Sequence, residues 1–239
     1  MGKQVGTLKM TGSFAGAVGY IDKQGRVQMR SKAEKNHDAD TISQRKVRTK
    51  FLALTGTAKY LKNVMIGFSR YAKDNKITTR NAFIKLNYPA VESTVSGSDV
   101  KSELDPTLLK LSAGELPVVS FGSPQFDEPL QIDVAWGANS DMPGASADDL
   151  VYIVAINSGE SSAVISTPVK RSVGTASVHV PNAWNGETVD VYGFCQGFAN
   201  AEDRVKYEHS YLLGEAEASE LLSKAEYSMT HYIGQGSIS

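Results

Sequence analysis

Cysteine occurs once in the 239 residues, at Cys195, which excludes an intrachain disulfide framework and any metal site built on several thiolates. A lone cysteine of this kind reads as a small buried apolar residue in a strand. Long apolar runs are missing too: none approaches the roughly 18–20 residues of a membrane-crossing helix. The start, MGKQVGTLKM, has no apolar h-region, so export by a signal peptide is not expected, and Gly6 stands where myristoylation wants Ser or Thr. Histidine is sparse. His37, His179, His209 and His231 are scattered, and none forms the i,i+4 pair around a carboxylate that a zinc protease needs. There is no Gly-x-Ser-x-Gly elbow and no Gly-Lys-Ser/Thr phosphate loop, and Gly12, Gly16 and Gly19 do not have the dinucleotide spacing. Those glycines read as backbone crowding in tight turns. Asp148-Asp149, or Glu187 with Glu202-Asp203, could hold a divalent cation, but solvated loop carboxylates are the favoured reading. The absences argue against an enzyme, and no cofactor or metal is expected.

What the chain has is charge sorted by position. Residues 1–90 hold 18 Lys+Arg and 5 Asp+Glu, a net of +13; residues 91–239 hold 7 and 21, a net of −14. The formal total of −1 hides this polarity. Such separation concerns partners and encounter rates rather than fold. A basic half seeks nucleic acid, an anionic surface, or the acidic half of another copy.

Three segments are expected: a basic Gly-rich hairpin and helical module over 1–90, an acidic β-sandwich over 91–214, and an acidic helix with a tail over 215–239. The fold class is α+β, with an N-terminal hairpin and a long basic amphipathic helix before an antiparallel immunoglobulin- or fibronectin-like sandwich. Val18–Ile21 and Arg26–Arg30 flank Asp22-Lys23-Gln24-Gly25, a hairpin in which Gly25 takes the left-handed position. Thr41 and Gln44 form a capping box, and Val47, Phe51, Leu54, Ala58, Leu61, Met65, Phe68 and Ala72 follow at alternating spacings of four and three. This is one apolar stripe of a long helix over 41–74, or of two helices broken near Gly56. A second short helix is expected from about Arg80 to Asn87, before Pro89.

Residues 88–107 read as a linker or a loosely held first strand. Short strands are then expected at 108–112, 117–121, 130–136, 150–157, 163–169, 176–180, 188–194 and 207–213, with an acidic helix over 215–227 and a Gly/Ser tail. Leu150 to Ile156 is apolar throughout, as a central strand should be.

Two sets of residues are candidates for function. Arg45, Lys46, Arg48, Lys50, Lys59, Lys62, Arg70 and Lys73, with Tyr60, would bind nucleic acid or an acidic partner; Lys76 and Arg80 extend the patch, and Tyr20 or Tyr71 could pack on sugars or bases. Val47, Phe51, Leu54, Leu61, Met65 and Phe68 are core, or the seam of an assembly. Trp136 and Trp184, near expected strand ends, motivate a carbohydrate- or surface-binding sandwich.

The order of parts resembles a family of uncharacterised proteins from Bacteroidetes and their phages and prophages. The matching residues are Gly12-Ser13-Phe14-Ala15-Gly16-Ala17-Val18-Gly19-Tyr20, Met29-Arg30, Gln44 to Phe51, Ile66-Gly67-Phe68, Pro181-x-x-Trp184-x-Gly186, and Val191-Tyr192-Gly193-Phe194. At the hairpin, members carry a Trp-Gly pair where this chain has Ile21-Asp22-Lys23. The resemblance implies a phage or mobile-element setting and supplies no catalytic residue. The expectation is a non-enzymatic structural or assembly protein, a virion component that docks on itself or on other virion proteins through its basic helix and acidic sandwich. Nucleic-acid binding by residues 1–90 is the alternative. The virion or the host cytoplasm is the expected location.

Overall fold

The computed structural model describes residues 12–14, 16–21, 25–31, 40–213 and 217–238. The chain divides into two compact units, one ending at Thr41 and the other beginning at Ile42. The first is an antiparallel three-stranded sheet of β1 (Gly12–Phe14), β2 (Ala17–Ile21) and β3 (Val27–Ser31). Gly25, at φ +75°, takes the left-handed position expected between β2 and β3. The rest of that turn, Asp22-Lys23-Gln24, lies outside the described residues.

The second unit is a mixed helical and antiparallel-sheet fold. It opens with α1 (Ile42–Tyr60), a 3₁₀ stretch (Lys62–Phe68), α2 (Ser69–Asp74) and α3 (Thr79–Asn87). The helical path therefore breaks after Tyr60, not near Gly56. Gly67 explains the tight path beyond the break: a Cβ there would overlap Ser112, and its carbonyl accepts the Ala113 N–H at 3.2 Å. Thr78 caps α3, its hydroxyl accepting the Asn81 N–H at 3.1 Å.

A hairpin follows, β4 (Val91–Ser96) and β5 (Asp99–Leu104), where the sequence suggests a linker or a loosely held first strand. It meets α1 through hydroxyls, Thr49 lying 2.7 Å from Ser102 and Ser102 2.7 Å from Ser93, and Val91 and Leu104 join the same core as Leu54 and Ala58 of α1.

The remaining strands are β6 (Ser120–Phe121), β7 (Gln131–Gly137), β8 (Leu150–Asn157), β9 (Ser162–Ile165), β10 (Val169–Lys170), β11 (Thr175–His179), β12 (Thr188–Gly197), β13 (Glu226–Tyr227) and β14 (His231–Ser237). Helices α4 (Ala201–Leu213) and α5 (Glu217–Leu222) lie between β12 and β13. One sheet runs β10-β8-β12-β13, with β9 beside β8 and β14 beside β12; the other runs β11-β7-β6.

β8 is buried along its whole length, because alternate side chains enter different cores. Leu150, Tyr152, Val154 and Ile156 join Leu54, Leu61, Phe68 and Phe83 of the helices. Val151, Ile153 and Ala155 join Ile132 and Val134 of β7 and Val178 of β11. Strand β8 thus packs against the helices through one set of side chains and against residues of β7 and β11 through the other.

Several expectations are corrected by this arrangement. Helix 42–60 shares a core with β8, so the boundary expected near residue 90 falls instead after Thr41. Residues 109–112 form no strand, and 207–213 belong to α4. The helix begins where Asn200 accepts the Asp203 N–H at 2.7 Å, and a Glu202–Lys206 pair supports its first turns. The expected Gly/Ser tail is strand β14, laid along β12, so the C-terminal segment is integral to the sheet. Glycine serves that strand directly: a Cβ at Gly236 would overlap the Phe126 ring.

Candidate docking surface on the helical layer

Residues 42–90 carry eleven Lys+Arg and a single acid, Asp74. Among the described residues, every ion pair is made either within this segment or within residues 91–238, and none joins the two. The charge separation written in the sequence therefore survives folding in the second unit.

The apolar stripe resolves into two parts. Leu54, Leu61, Met65 and Phe68 are buried in the helix–sheet core, so they form no seam for a partner. Val47 and Phe51 stay about half exposed near the start of α1. Leu52, off the stripe by one position, is 73% exposed and is the most exposed large apolar side chain described.

The candidate cations divide by location. Arg70 pairs with Asp74 at 3.0 Å and donates to the Lys224 carbonyl at 3.3 Å, and Lys73 reaches Ser223 at 3.4 Å, so both are engaged with the C-terminal segment. Arg45 donates to the Ser98 carbonyl at 2.5 Å, toward the β4–β5 hairpin. Lys50 lies over the Tyr88 ring at 5.2 Å, and Lys85 over Tyr71 at 5.6 Å. Lys46 and Arg48 are exposed on α1. Tyr60 lines a different cavity, with Tyr192 and Glu103, and so stands apart from the basic face.

Lys59 and Lys62 are brought together with Arg80 around a depression of about 540 Å³ between α1 and α3, whose walls include Leu52, Gly56 and Met65. Among the described residues these three cations have no ion-pair partner. A second depression of about 540 Å³ lies between the same helices, lined by Phe51, Ile84, Lys85 and Tyr88. The sequence reading missed Leu52 and took Gly56 for a place where the helix breaks. The available signal was a leucine on the polar arc of the helix with a glycine one turn later.

Other candidates lose their chemistry. Trp136 and Trp184 are buried, and the Trp136 indole donates to the Arg171 carbonyl at 2.9 Å, so neither provides an exposed aromatic platform. Asp148 pairs with Lys170 at 3.1 Å and Arg204 at 3.0 Å; its hydrogen bond from Lys170 leads in holding its carboxyl below the usual range. Asp149 pairs with buried Arg171. Glu202 is taken by Lys206 at 2.7 Å, and Asn200 donates to Asp203 at 2.9 Å. Among the described residues no three His, Cys, Asp or Glu side chains gather as a metal site would require. His37 and the His209 side chain lie outside the described residues. No helix among the described residues is long and apolar enough to cross a membrane.

No curated protein and no solved structure matches the chain. A family profile matches residues 9–214, from the Gly-rich start to the end of α4. On that match the chain belongs to a family of unknown function (DUF6266).

Proposed function

We propose that this chain is a non-enzymatic assembly protein, a component of a phage or mobile-element particle, that docks an acidic protein surface onto its basic helical layer. One observation carries the reading: residues 42–90 hold eleven cations and one acid, and Lys59, Lys62 and Arg80 make no ion pair among the described residues. Opposite charge steers such an encounter and selects the partner. Exposed Phe51 and Leu52 favour a protein over a bare phosphate backbone, because an interface centre is apolar whereas phosphate contact needs only cations. A second copy is one source of the opposite sign, since residues 91–239 hold 21 acids against 7 bases. We read the two sheets that share the second core as a fibronectin-like sandwich presenting that acidic surface.

Lys59, Lys62 and Arg80 also support a second reading, salt-dependent binding of nucleic acid. With both tryptophans buried, the carbohydrate reading loses the observation that motivated it.

Light scattering of the full chain across concentration, at low and high salt, tests the proposal, alongside titration of fluorescein-labelled polyglutamate. Mass above one chain or polyglutamate binding at low salt, lost at high salt, is expected. A monomer throughout that ignores polyglutamate at low salt overturns it.

A further inference from the structure

The two depressions between α1 and α3 have a composition that one kind of partner fits. Each has apolar walls: Phe51 and Ile84 line one, Leu52 and Met65 the other, and Gly56 leaves the second open, since a Cβ there would meet nothing within 4 Å. Their rim is cationic, with Lys59, Lys62 and Arg80 unpaired among the described residues. From Phe51 to Lys59 the wall runs eight residues, about 12 Å of helix, or roughly two turns. Both walls are helices whose backbone groups are bonded within the helix, so no strand edge is offered along the groove and strand addition has no template there.

We infer that this groove receives an amphipathic helix with an acidic outer face, belonging to a different protein. The inference rests on the docking reading above and narrows it. An apolar stripe at i, i+3 or i+4, and i+7 would cover Phe51, Leu52 and Ile84, while flanking carboxylates meet Lys59, Lys62 and Arg80. The helix is not supplied by another copy of this chain, because its own acidic helices are already packed: α4 through Tyr207 and α5 through Leu221, both in the helix–sheet core.

The test is fluorescence anisotropy with the full chain at low salt and two labelled peptides of about 14 residues, four helical turns. One places leucines at helical spacing among glutamates; the other is its scramble, with the same composition and charge. The ordered peptide is expected to bind about tenfold tighter than the scramble, the margin that apolar registration adds to charge. Leu52→Glu should abolish that preference, and Lys59→Glu with Lys62→Glu should weaken both peptides. Leu52, Lys59 and Lys62 are exposed, and circular dichroism checks that each variant keeps its fold. Equal binding of the two peptides overturns the groove while leaving charge-driven docking in place. Binding of neither overturns both readings. A labelled DNA duplex that binds with the same dependence on Lys59 and Lys62, while the peptides show no preference, overturns the groove in favour of nucleic acid.

Discussion

The guanidinium of Arg171, with no exposed surface, meets the carboxylate of Asp149 at 3.1 Å just before β8 begins. Its Nη1 donates to the Ala138 carbonyl at 3.2 Å and its Nη2 to the Pro117 carbonyl at 2.5 Å, while the Trp136 indole donates to the Arg171 carbonyl. One buried cation thus gathers segments from the end of β7, the approach to β6 and the start of β8. Removing the cation leaves a buried carboxylate unpaired, so Arg171→Met is expected to cost about 3–5 kcal/mol. Adding Asp149→Leu should return a large part of that loss. Urea unfolding of the two variants reads both effects, and a single variant within about 0.5 kcal/mol of wild type, the reach of an ordinary surface change, would contradict the assignment.

Asp190 makes stability depend on pH. Burial pushes its carboxyl above the ordinary value of 3.8, against the hydrogen bonds that Tyr232 and Gln235 each donate to its Oδ1 at 3.1 Å. Over the interval between those two values the folded chain keeps a proton that the unfolded chain has released. The contribution is therefore fully present below the unfolded value and is lost as pH rises through the folded one. Asp190→Asn keeps the oxygen that accepts both bonds and removes the ionisation. Urea midpoints measured from about pH 4 to pH 8 should fall less steeply for the variant than for wild type. Identical slopes would remove Asp190 from the account.

Two glycines should respond in opposite directions. Gly56 lies inside α1 with open space where a Cβ would stand, so Gly56→Ala is expected to stabilise by about 0.5–1 kcal/mol through helix propensity and reduced freedom of the unfolded chain. At Gly114 a Cβ would overlap the Tyr227 carbonyl, which also accepts the Leu116 N–H at 3.1 Å. Gly114→Ala is expected to cost about 1–3 kcal/mol. Thermal unfolding of the pair compares them directly.

Cys195 is buried in β12, where burial chiefly pushes its thiol up. A thiol-specific chromogenic reagent should leave the folded chain unlabelled and react only as fast as the chain opens. Labelling of folded protein at the rate of a free thiol would show that the strand is accessible.

The two sheets differ in how far they could be read. Leu150–Asn157 is legible because the seven consecutive apolar side chains of Leu150 to Ile156 can only be buried on two faces, and the strand runs one residue beyond them. Val91–Ser96 and Asp99–Leu104 are illegible for the opposite reason. At the centre of their inner face Ser102 meets Thr49 and Ser93, and these serines interrupt the apolar alternation that Val91 and Leu104 begin. β14 was hidden by Gly234 and Gly236, which suggest a tail until Pro124 and Phe126 are seen to occupy the space of the missing side chains. Tyr207 has the composition of a strand residue, yet it caps a buried set of hydrogen bonds from α4, its hydroxyl 2.8 Å from that of Tyr152.

What the sequence by itself determined is the sorting of charge and the existence of an apolar face on the helix after Thr41. Both follow from covalent order, charge by counting and the face by the 3.6-residue period. Only the tertiary structure decided what that face meets. Periodicity states that a surface must leave water, but its cover comes from residues about a hundred positions away, such as Tyr152 and Val154 against Leu54 and Phe68. Once those four side chains are matched inside the subunit, Leu52 stays outside, with Lys59, Lys62 and Arg80, which make no ion pair among the described residues.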